Sequence, residues 1–182
     1  QSLHNDDARH IAVTLPDGIE LHNFYVPAGG DIPDPEENPK YLHKLRYVEE
    51  MTEWFARHRS KDSACVLVGD LNIAPLEHDV WSHKQLMNVV SHTERELERL
   101  AALKDSIGWV DGSRLFVPET EKLYSWWSYR NRDWKKSNRG RRLDHIWVTP
   151  PLRAHVRSGT ILHEARDWEK PSDHVPVILE IA

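Results

Sequence analysis

The sequence predicts a single α/β domain in which helices pack outside a mainly antiparallel sheet or pair of sheets. Residues 64–68 are wholly apolar, which is typical of a short strand that is covered on both faces. Residues 39–58 are predicted to form an amphipathic helix, because apolar side chains recur there at helical spacing: Leu42, Leu45, Val48, Met51 and Phe55. Strand-like segments separated by polar loops follow in the second half of the chain.

Turn and capping residues mark the remaining elements. Residues 10–15 and 19–26 are predicted to form a hairpin, because the Pro-Asp-Gly sequence between them is typical of a tight turn. A second helix is predicted to begin at Thr93, which can form a capping box with Glu96. The last three predicted strands are residues 125–128, 143–149 and 175–181.

Composition narrows the class of protein. A chain of 182 residues with 39% hydrophobic and 29% charged residues is ordinary for one globular domain. No apolar run approaches the roughly 20 residues that cross a membrane, so no membrane association is expected. The first ten residues lack the basic and apolar regions of a signal peptide. Cys65 is the single cysteine, and its apolar setting predicts a small buried side chain that suits a reducing cytoplasm.

Charge is unevenly distributed along the chain. The net charge is −5, which argues against nonspecific nucleic-acid affinity over the whole surface. Residues 122–157, however, hold ten lysines and arginines against two aspartates, a local net charge of +8. Such a segment suits a polyanionic ligand, although a solvated loop could have the same composition.

Polar residues that can bind a metal or phosphate lie where predicted strands meet loops. Asp70 and Asn72 follow the apolar run, and alternation along an extended segment would point both the same way. Asp144 opens one predicted strand, and Asp173 with His174 precedes the last one. Each alone is more often a turn former or a cap. Together they predict a site for a hard divalent cation, because carboxylate and amide oxygens are its preferred ligands.

Five motifs in order resemble the exonuclease III family, within the endonuclease/exonuclease/phosphatase superfamily. They are Asn-Phe-Tyr-Val-Pro-Ala-Gly at 23–29, Val-Gly-Asp-Leu-Asn-Ile-Ala-Pro at 68–75, Tyr-Ser-Trp-Trp-Ser-Tyr-Arg at 124–130, Asn-Arg-Gly-Arg-Arg-Leu-Asp at 138–144 and Pro-Ser-Asp-His-Val-Pro at 171–176. The resemblance implies the DNase I-like fold, a four-layer α/β/β/α sandwich with mainly antiparallel sheets. It also implies hydrolysis of phosphodiester bonds with Mg²⁺ or Mn²⁺.

The same resemblance implies catalytic roles for five residues. Tyr25 would lie beside the scissile phosphate, Asp70 would orient or deprotonate the attacking water, and Asn72 would steady a phosphate oxygen. Asp144 would support catalysis, and His174 would reach the phosphate or the metal while hydrogen-bonded to Asp173. The metal-binding set is predicted to be Asp70, Asn72, Asp173 and His174.

DNA-binding residues are predicted on both sides of this site. The segment from residue 125 to residue 142 interleaves aromatic and cationic side chains, which can hold phosphates while a ring packs beside a base. One of Trp126 and Trp127 is expected in the core and the other against DNA, and the sequence leaves open which. The predicted DNA-binding set is Arg9, Trp126, Trp127, Arg130, Arg139 and Arg141.

The chain departs from the family pattern at its beginning. The family's first strand with an Asn, and a later strand ending in a metal-binding Glu, have no counterpart before Arg9. Residues 1–182 are therefore expected to be the C-terminal two-thirds of one such domain. A site without that Glu should hold its metal weakly. One sheet face should be uncovered unless another chain covers it, so this chain could pair although the full-length enzyme is expected to be monomeric.

The function expected from the sequence is that of a DNA-repair nuclease of the bacterial cytoplasm, with activity at the nucleoid. Its substrate would be duplex DNA, nicked beside abasic sites or trimmed from 3′ ends. Two alternatives stay open: an inactive DNA-binding fragment, and a phosphoesterase acting on a lipid or inositol phosphate.

Overall fold

The structure is a computed structural model that describes residues 8–182. Its strands form a five-stranded sheet in the order β1-β2-β3-β5-β4 and a two-stranded sheet of β6 and β7. All neighbouring pairs are antiparallel except β2 with β3. The strands are β1 His10–Thr14, β2 Glu20–Tyr25, β3 Cys65–Asp70, β4 Val110–Asp111, β5 Asp144–Val148, β6 Val156–Ile161 and β7 Val177–Ile181.

Two long helices cover one face of the larger sheet. The predicted helix of residues 39–58 is confirmed, and Asn38 caps it by accepting a hydrogen bond from the Lys40 amide. The predicted capping box of Thr93 and Glu96 is also confirmed. The helices are α1 Pro39–His58, α2 His83–Leu86, α3 Glu94–Ser106, α4 Trp134–Ser137 and α5 Pro150–Arg153.

The layers follow from the side chains that each strand buries. On one face of the large sheet, Leu67 and Trp147 join a core with residues of α1 and α3, such as Phe55 and Leu103. On the other face, Val66 and Val148 pack in a cluster that includes Leu179 and Ile181 of β7. Helices, large sheet and small sheet therefore stack in that order, so the described residues confirm the predicted α/β class and form three of the four layers of the predicted sandwich.

The structure corrects some predicted elements. Residues 125–128 do not form a strand, because Trp126 makes only isolated bridges to Arg141 and His174. The short strands β4 and β6 were not predicted, because neither carries a distinctive apolar alternation. No helix in the described part of the chain is long and apolar enough to span a membrane.

Exposed apolar side chains lie on β1 and β7. Ile11 and Val13 of the edge strand β1 are exposed, as is Ile178 of β7. The uncovered sheet face that the sequence analysis expected stays a prediction.

Candidate active site at the carboxyl ends of β2 and β3

Three neighbouring strands bring acidic and aromatic side chains to one edge of the large sheet. In the parallel pair of β2 and β3, Tyr25 lies opposite Asp70. In the antiparallel pair of β3 and β5, Asp70 lies opposite Asp144. Three of the predicted catalytic residues are therefore adjacent because of strand register.

Gly69 lets β2 and β3 approach closely just before Asp70. Its φ of +134° lies outside the range that L side chains readily adopt. A Cβ atom at this position would lie 1.9 Å from the Phe24 carbonyl oxygen. Only glycine fits here, so the backbone that carries Asp70 depends on it.

Asp70 and Asn72 are in contact, but not through alternation along a strand. Strand β3 ends at Asp70, and Asn72 has a left-handed backbone with φ of 52°. The two Asp70 oxygens accept hydrogen bonds from the Asn72 amide nitrogen (2.9 Å) and from its Nδ2 (3.1 Å). Nδ2 also donates to the Val26 carbonyl (2.8 Å), so both hydrogens of the side-chain amide are engaged within the protein.

A buried lysine, not foreseen from the sequence, holds this turn. Lys44 Nζ donates to the carbonyl oxygens of Asn72 (2.7 Å) and Ala28 (3.2 Å) and lies 2.5 Å from Glu96 Oε1. Both Lys44 and Glu96 are fully buried. The available signal was the position of Lys44 within the apolar stripe of α1, three residues after Tyr41.

His174 is held by Asp144 and not, as predicted, by Asp173. Its Nδ1 donates to Asp144 Oδ2 at 2.8 Å, while Nε2 lies 3.9 Å from Asp70 Oδ2. Asp173 instead accepts a hydrogen bond from the Trp126 indole (2.9 Å). The predicted Asp173–His174 pair is therefore wrong, and Asp173 lies outside the group of potential ligands formed by Asp70, Asp144 and His174.

Ser125 is a further residue that the sequence did not assign. Its fully buried hydroxyl donates to Asp144 Oδ2 at 2.7 Å and accepts from the amides of Leu143 and Asp144 at 3.0 Å each. Asp144 thus accepts hydrogen bonds from both Ser125 and His174. Its position is fixed before any ligand binds.

Electrostatics at the site favour a bound cation. Burial, together with the negative charge of Asp144, raises the pKa of Asp70 to about 6. Burial lowers the pKa of His174, but the hydrogen bond and charge of Asp144 and the charge of Asp70 raise it above its usual value overall. Ligand atoms of Asp70, Asp144 and His174 lie within 4.8 Å of one another. Two close carboxylates whose repulsion raises a pKa are a donor set that fits a divalent metal ion.

A basic cleft opens beside this group. It has a volume of about 770 Å³, and its lining includes Asn72, His174, Trp126 and three predicted DNA-binding arginines, Arg130, Arg139 and Arg141. Trp81, which was not predicted, also lines it and lies beneath the Arg139 guanidinium at 4.7 Å from the ring centroid. Aromatic faces and cations therefore line one wall together.

The two tryptophans have different environments. Trp127 is 1% exposed and belongs to a buried cluster with Tyr124 and Val175, so its assignment as a DNA-binding residue is corrected. Trp126 lines the cleft, with Arg141 stacked on it at 5.4 Å. Arg141 itself donates to Ser91 Oγ (2.8 Å) and the Val90 carbonyl, so it also fixes the cleft wall.

Buried ion pairs anchor the segment between this wall and Asp144. Arg142 makes a two-bond contact with Asp79, at 2.8 Å for each bond, and a third contact with Asp111 at 2.8 Å. All three residues are buried. Removing one of the three residues would leave a buried charge without its partner, which is strongly destabilising. The network therefore holds the chain in place just before Asp144.

Arg9 and Tyr25 form the opposite rim of the site. Tyr25 is 51% exposed, so it is not a core aromatic residue. The Arg9 guanidinium lies 4.9 Å from the Tyr25 ring centroid. A cation stacked on an exposed tyrosine beside Asp70 is placed to meet an anionic ligand.

Two carboxylates and a histidine at the edge of a basic cleft form an arrangement that suits a divalent cation and a phosphate-containing ligand. Comparison with known proteins gives the family: the Endonuclease/Exonuclease/phosphatase family matches residues 1–174, and the chain belongs to it. The resemblance to exonuclease III is confirmed by the relatives that follow.

Exodeoxyribonuclease III of Haemophilus influenzae is 26% identical over 171 residues, which are 89% of this chain and 61% of that protein. An AP endonuclease structure from Archaeoglobus fulgidus is 30% identical, with a TM-score of 0.89 over 99% of this chain and 69% of that one. A 3′ phosphatase from Neisseria, bound to a product DNA hairpin, is 29% identical with a TM-score of 0.86 over 97% of this chain and 66% of that one. The chain thus spans less than two thirds of the length of the Haemophilus relative.

Proposed function

We propose that this protein is a divalent-metal-dependent DNA-repair nuclease that hydrolyses phosphodiester bonds of duplex DNA at abasic sites or 3′ ends. The observation that carries the proposal is the convergence of Asp70, Asp144 and His174 at one edge of a basic, aromatic cleft. The names of its relatives, an exodeoxyribonuclease and an AP endonuclease, support the same substrate class.

Asp70 is proposed to accept the proton of the attacking water. A positioned carboxylate is a common general base, and Asp70 lies with Asp144 and His174 at the edge of the cleft. The hydrogen bonds from Asn72 orient the carboxylate. For Asn72 to donate to a phosphate oxygen as well, it must release one of its two present acceptors.

His174 is proposed to stabilise negative charge on the phosphate. Asp144 holds its Nδ1 and favours the imidazolium, which leaves Nε2 on the side of Asp70 as a donor to a phosphate oxygen. Tyr25 would contact the phosphate from the opposite rim. Asp70 and Asp144 would hold Mg²⁺ or Mn²⁺, and a bound cation neutralises charge on the phosphate during hydrolysis.

The cleft is proposed to bind the DNA backbone. Arg130 and Arg139 are exposed on its wall and can contact phosphates, while Trp126 and Trp81 offer ring faces to a base or to the gap at an abasic site. The Neisseria phosphatase with bound product DNA supports a DNA ligand for this surface. Residues 1–182 are proposed to belong to a single domain of this family that acts in the bacterial cytoplasm, at the nucleoid.

The test is cleavage of a labelled duplex that contains one abasic site, with Mg²⁺, with Mn²⁺ and with EDTA. We expect metal-dependent nicking that falls by about 10²–10⁴-fold in Asp70→Asn, the range for loss of a general base. Asp62→Asn is the matched control, because Asp62 is exposed before the other end of β3. Duplexes ending in a 3′-hydroxyl or a 3′-phosphate, assayed in parallel, separate trimming from phosphatase activity.

Two outcomes would contradict the proposal. Tight DNA binding by a folded chain without turnover, even at high Mn²⁺, would favour the non-catalytic DNA-binding alternative. Hydrolysis of an inositol phosphate or a lipid phosphate in preference to DNA would favour the other phosphoesterase alternative.

A further inference from the structure

A second group of potential metal ligands lies at the opposite end of β2 and β3. Glu20 and Cys65 are register partners in the parallel pair, and His22 lies two residues further along the same face. Glu20 and Cys65 lie five residues before Tyr25 and Asp70, roughly 16 Å along the strands, and His22 lies three residues before Tyr25, roughly 10 Å. It is therefore distinct from the proposed active site.

The donor atoms of this group already lie near metal-binding distances. His22 Nε2 is 3.2 Å and Cys65 Sγ is 3.9 Å from Glu20 Oε2, and all three atoms lie within 4.8 Å of one another. Ligands of tetrahedral zinc, with bonds of about 2.0–2.3 Å, are separated by roughly 3.3–3.7 Å. Side-chain shifts of less than about 1 Å would bring the three atoms around one ion.

The contact between His10 and His22 also suits a metal, because the two stacked rings lie 5.4 Å apart between centroids. His10 Nε2 lies 3.1 Å from His22 Nδ1. If His22 Nδ1 carries its proton and donates to His10, then Nε2 presents a lone pair towards Glu20 and Cys65, the arrangement that metal-binding histidines use.

A bound metal would have to replace the Arg59 guanidinium beside Glu20. Arg59 Nε contacts Glu20 Oε2 at 2.6 Å, and the guanidinium lies over the Trp54 ring. Arg59 thus supplies the positive charge for Glu20 in this structure. A divalent ion would balance the charges of Glu20 and of a Cys65 thiolate, and Glu20, 30% exposed, provides the route of entry.

We propose that Glu20, His22 and Cys65 form a binding site for a borderline-soft divalent transition metal such as Zn²⁺, with His10 orienting His22. Carboxylate, imidazole and thiolate together select such an ion over Mg²⁺ or Ca²⁺. Binding would release the thiol proton of Cys65 and join the β1–β2 hairpin to β3.

Titration with Co²⁺, a spectroscopic substitute for Zn²⁺, tests the proposal on the purified chain after treatment with a chelator. Thiolate coordination produces a charge-transfer band in the near ultraviolet. Cys65 is the single cysteine of the chain, so such a band reports on this residue alone. We expect a saturable band that Zn²⁺ displaces and that Cys65→Ser abolishes.

Variants that retain Cys65 distinguish a three-residue site from metal binding by the thiol alone. Glu20→Gln and His22→Gln should weaken Co²⁺ binding at least about tenfold, and His10→Gln should weaken it by about tenfold through loss of orientation. Asp144→Asn, at the other end of the strands, should leave the band unchanged. Circular dichroism verifies that each variant is folded.

The absence of a band at saturating Co²⁺ in the folded chain would overturn the proposal. So would a band of undiminished affinity in both Glu20→Gln and His22→Gln, because it would show that Cys65 acts without the other two residues.

Discussion

The two ends of the β2–β3 pair both bring an acid and a histidine together, yet they present different chemistry. At the carboxyl end, the carboxylates of Asp70 and Asp144 lie beside His174 at the edge of a wide cleft. At the amino end, Glu20 and His22 lie beside the thiol of Cys65, and Arg59 balances the charge of Glu20. One strand pair can therefore support an open site for a hard cation and a buried site for a softer one.

The difference lies in charge balance as much as in ligand type. Burial and the charge of Asp144 raise the pKa of Asp70, whereas the hydrogen bond from Arg59 lowers that of Glu20. The carboxyl end holds excess negative charge, which destabilises the protein alone but prepares it for a cation and for catalysis. At the amino end, Arg59 already balances the charge of Glu20.

The largest expected effect comes from the backbone that supports the carboxyl end. Gly69→Ala should lower the free energy of unfolding by about 4 kcal/mol or more, or prevent folding, because its Cβ would overlap the Phe24 carbonyl. Gly18→Ala is the control: Gly18 also has positive φ, at +86°, but nothing lies within 4 Å of an added Cβ. It should lose only about 1–2 kcal/mol. Urea unfolding measures both, and equal losses would contradict the role of close strand approach.

Lys44 links α1 to the active-site turn, and its removal should be nearly as severe. Lys44→Met leaves Glu96 buried without its cation and removes the donor to the Asn72 carbonyl, so we expect a loss of about 3–5 kcal/mol. Lys40→Met, exposed on the same helix, should change stability by less than about 0.5 kcal/mol. Urea unfolding compares the two variants, and a loss below about 1 kcal/mol for Lys44→Met would contradict the structural role of this ion pair.

The ionised carboxylate of Asp70 should lower the stability of the folded protein, although the proposed function requires it. Because its folded pKa is raised to about 6, its contribution to stability is fully present below pH 4 and is lost as the pH rises through 6. Asp70→Asn should therefore raise the free energy of unfolding at pH 8 in EDTA by about 1–2 kcal/mol. This net value is the gain from removing the charge less the cost of losing one hydrogen bond to Asn72.

At pH 4 the gain from Asp70→Asn should disappear. Asp62→Asn, exposed before β3, should show little change at either pH. Urea unfolding at the two pH values measures this, and a variant less stable than wild type at pH 8 would show that the Asp70 charge is not a source of strain.

The cleft wall should give the smallest energetic effect. Arg139→Ala should weaken binding of duplex DNA by about 1 kcal/mol and reduce the slope of log K against log salt by about 0.9, the value for one phosphate contact. Arg157→Ala, exposed on β6, is the control and should leave the slope unchanged. Fluorescence anisotropy at several salt concentrations measures both quantities. If Arg139→Ala and the wild type gave equal slopes, the DNA would bind elsewhere.

The sequence predicted the residues of the site better than their contacts. Asp70 and Asp144 were found because each lies at the end of an apolar run, and their adjacency then follows from strand register. The partner of His174 was predicted wrongly, since Asp173 is its neighbour in sequence while Asp144, 30 residues away, is its neighbour in space. Such a pairing depends on how β5 and the segment before β7 meet, which no local pattern encodes.

The direction of individual side chains also could not be predicted from the sequence. One of Trp126 and Trp127 was expected in the core and the other against DNA, but only the assembled fold shows that the buried one is Trp127. Cys65 was correctly expected to be buried. Its proximity to Glu20 and His22 arises from the parallel register of β2 and β3, whose strands lie 40 residues apart in the chain.

We expect a hard divalent cation to bind at the carboxyl end of this strand pair and not at the amino end. Mn²⁺ titration followed by electron paramagnetic resonance tests this directly, because free Mn²⁺ loses its signal on binding. We expect one Mn²⁺ site, weakened at least about tenfold in Asp144→Asn and unchanged in Glu20→Gln. Unaltered Mn²⁺ affinity in Asp144→Asn, or its loss in Glu20→Gln, would show that the cation does not bind at the carboxyl end.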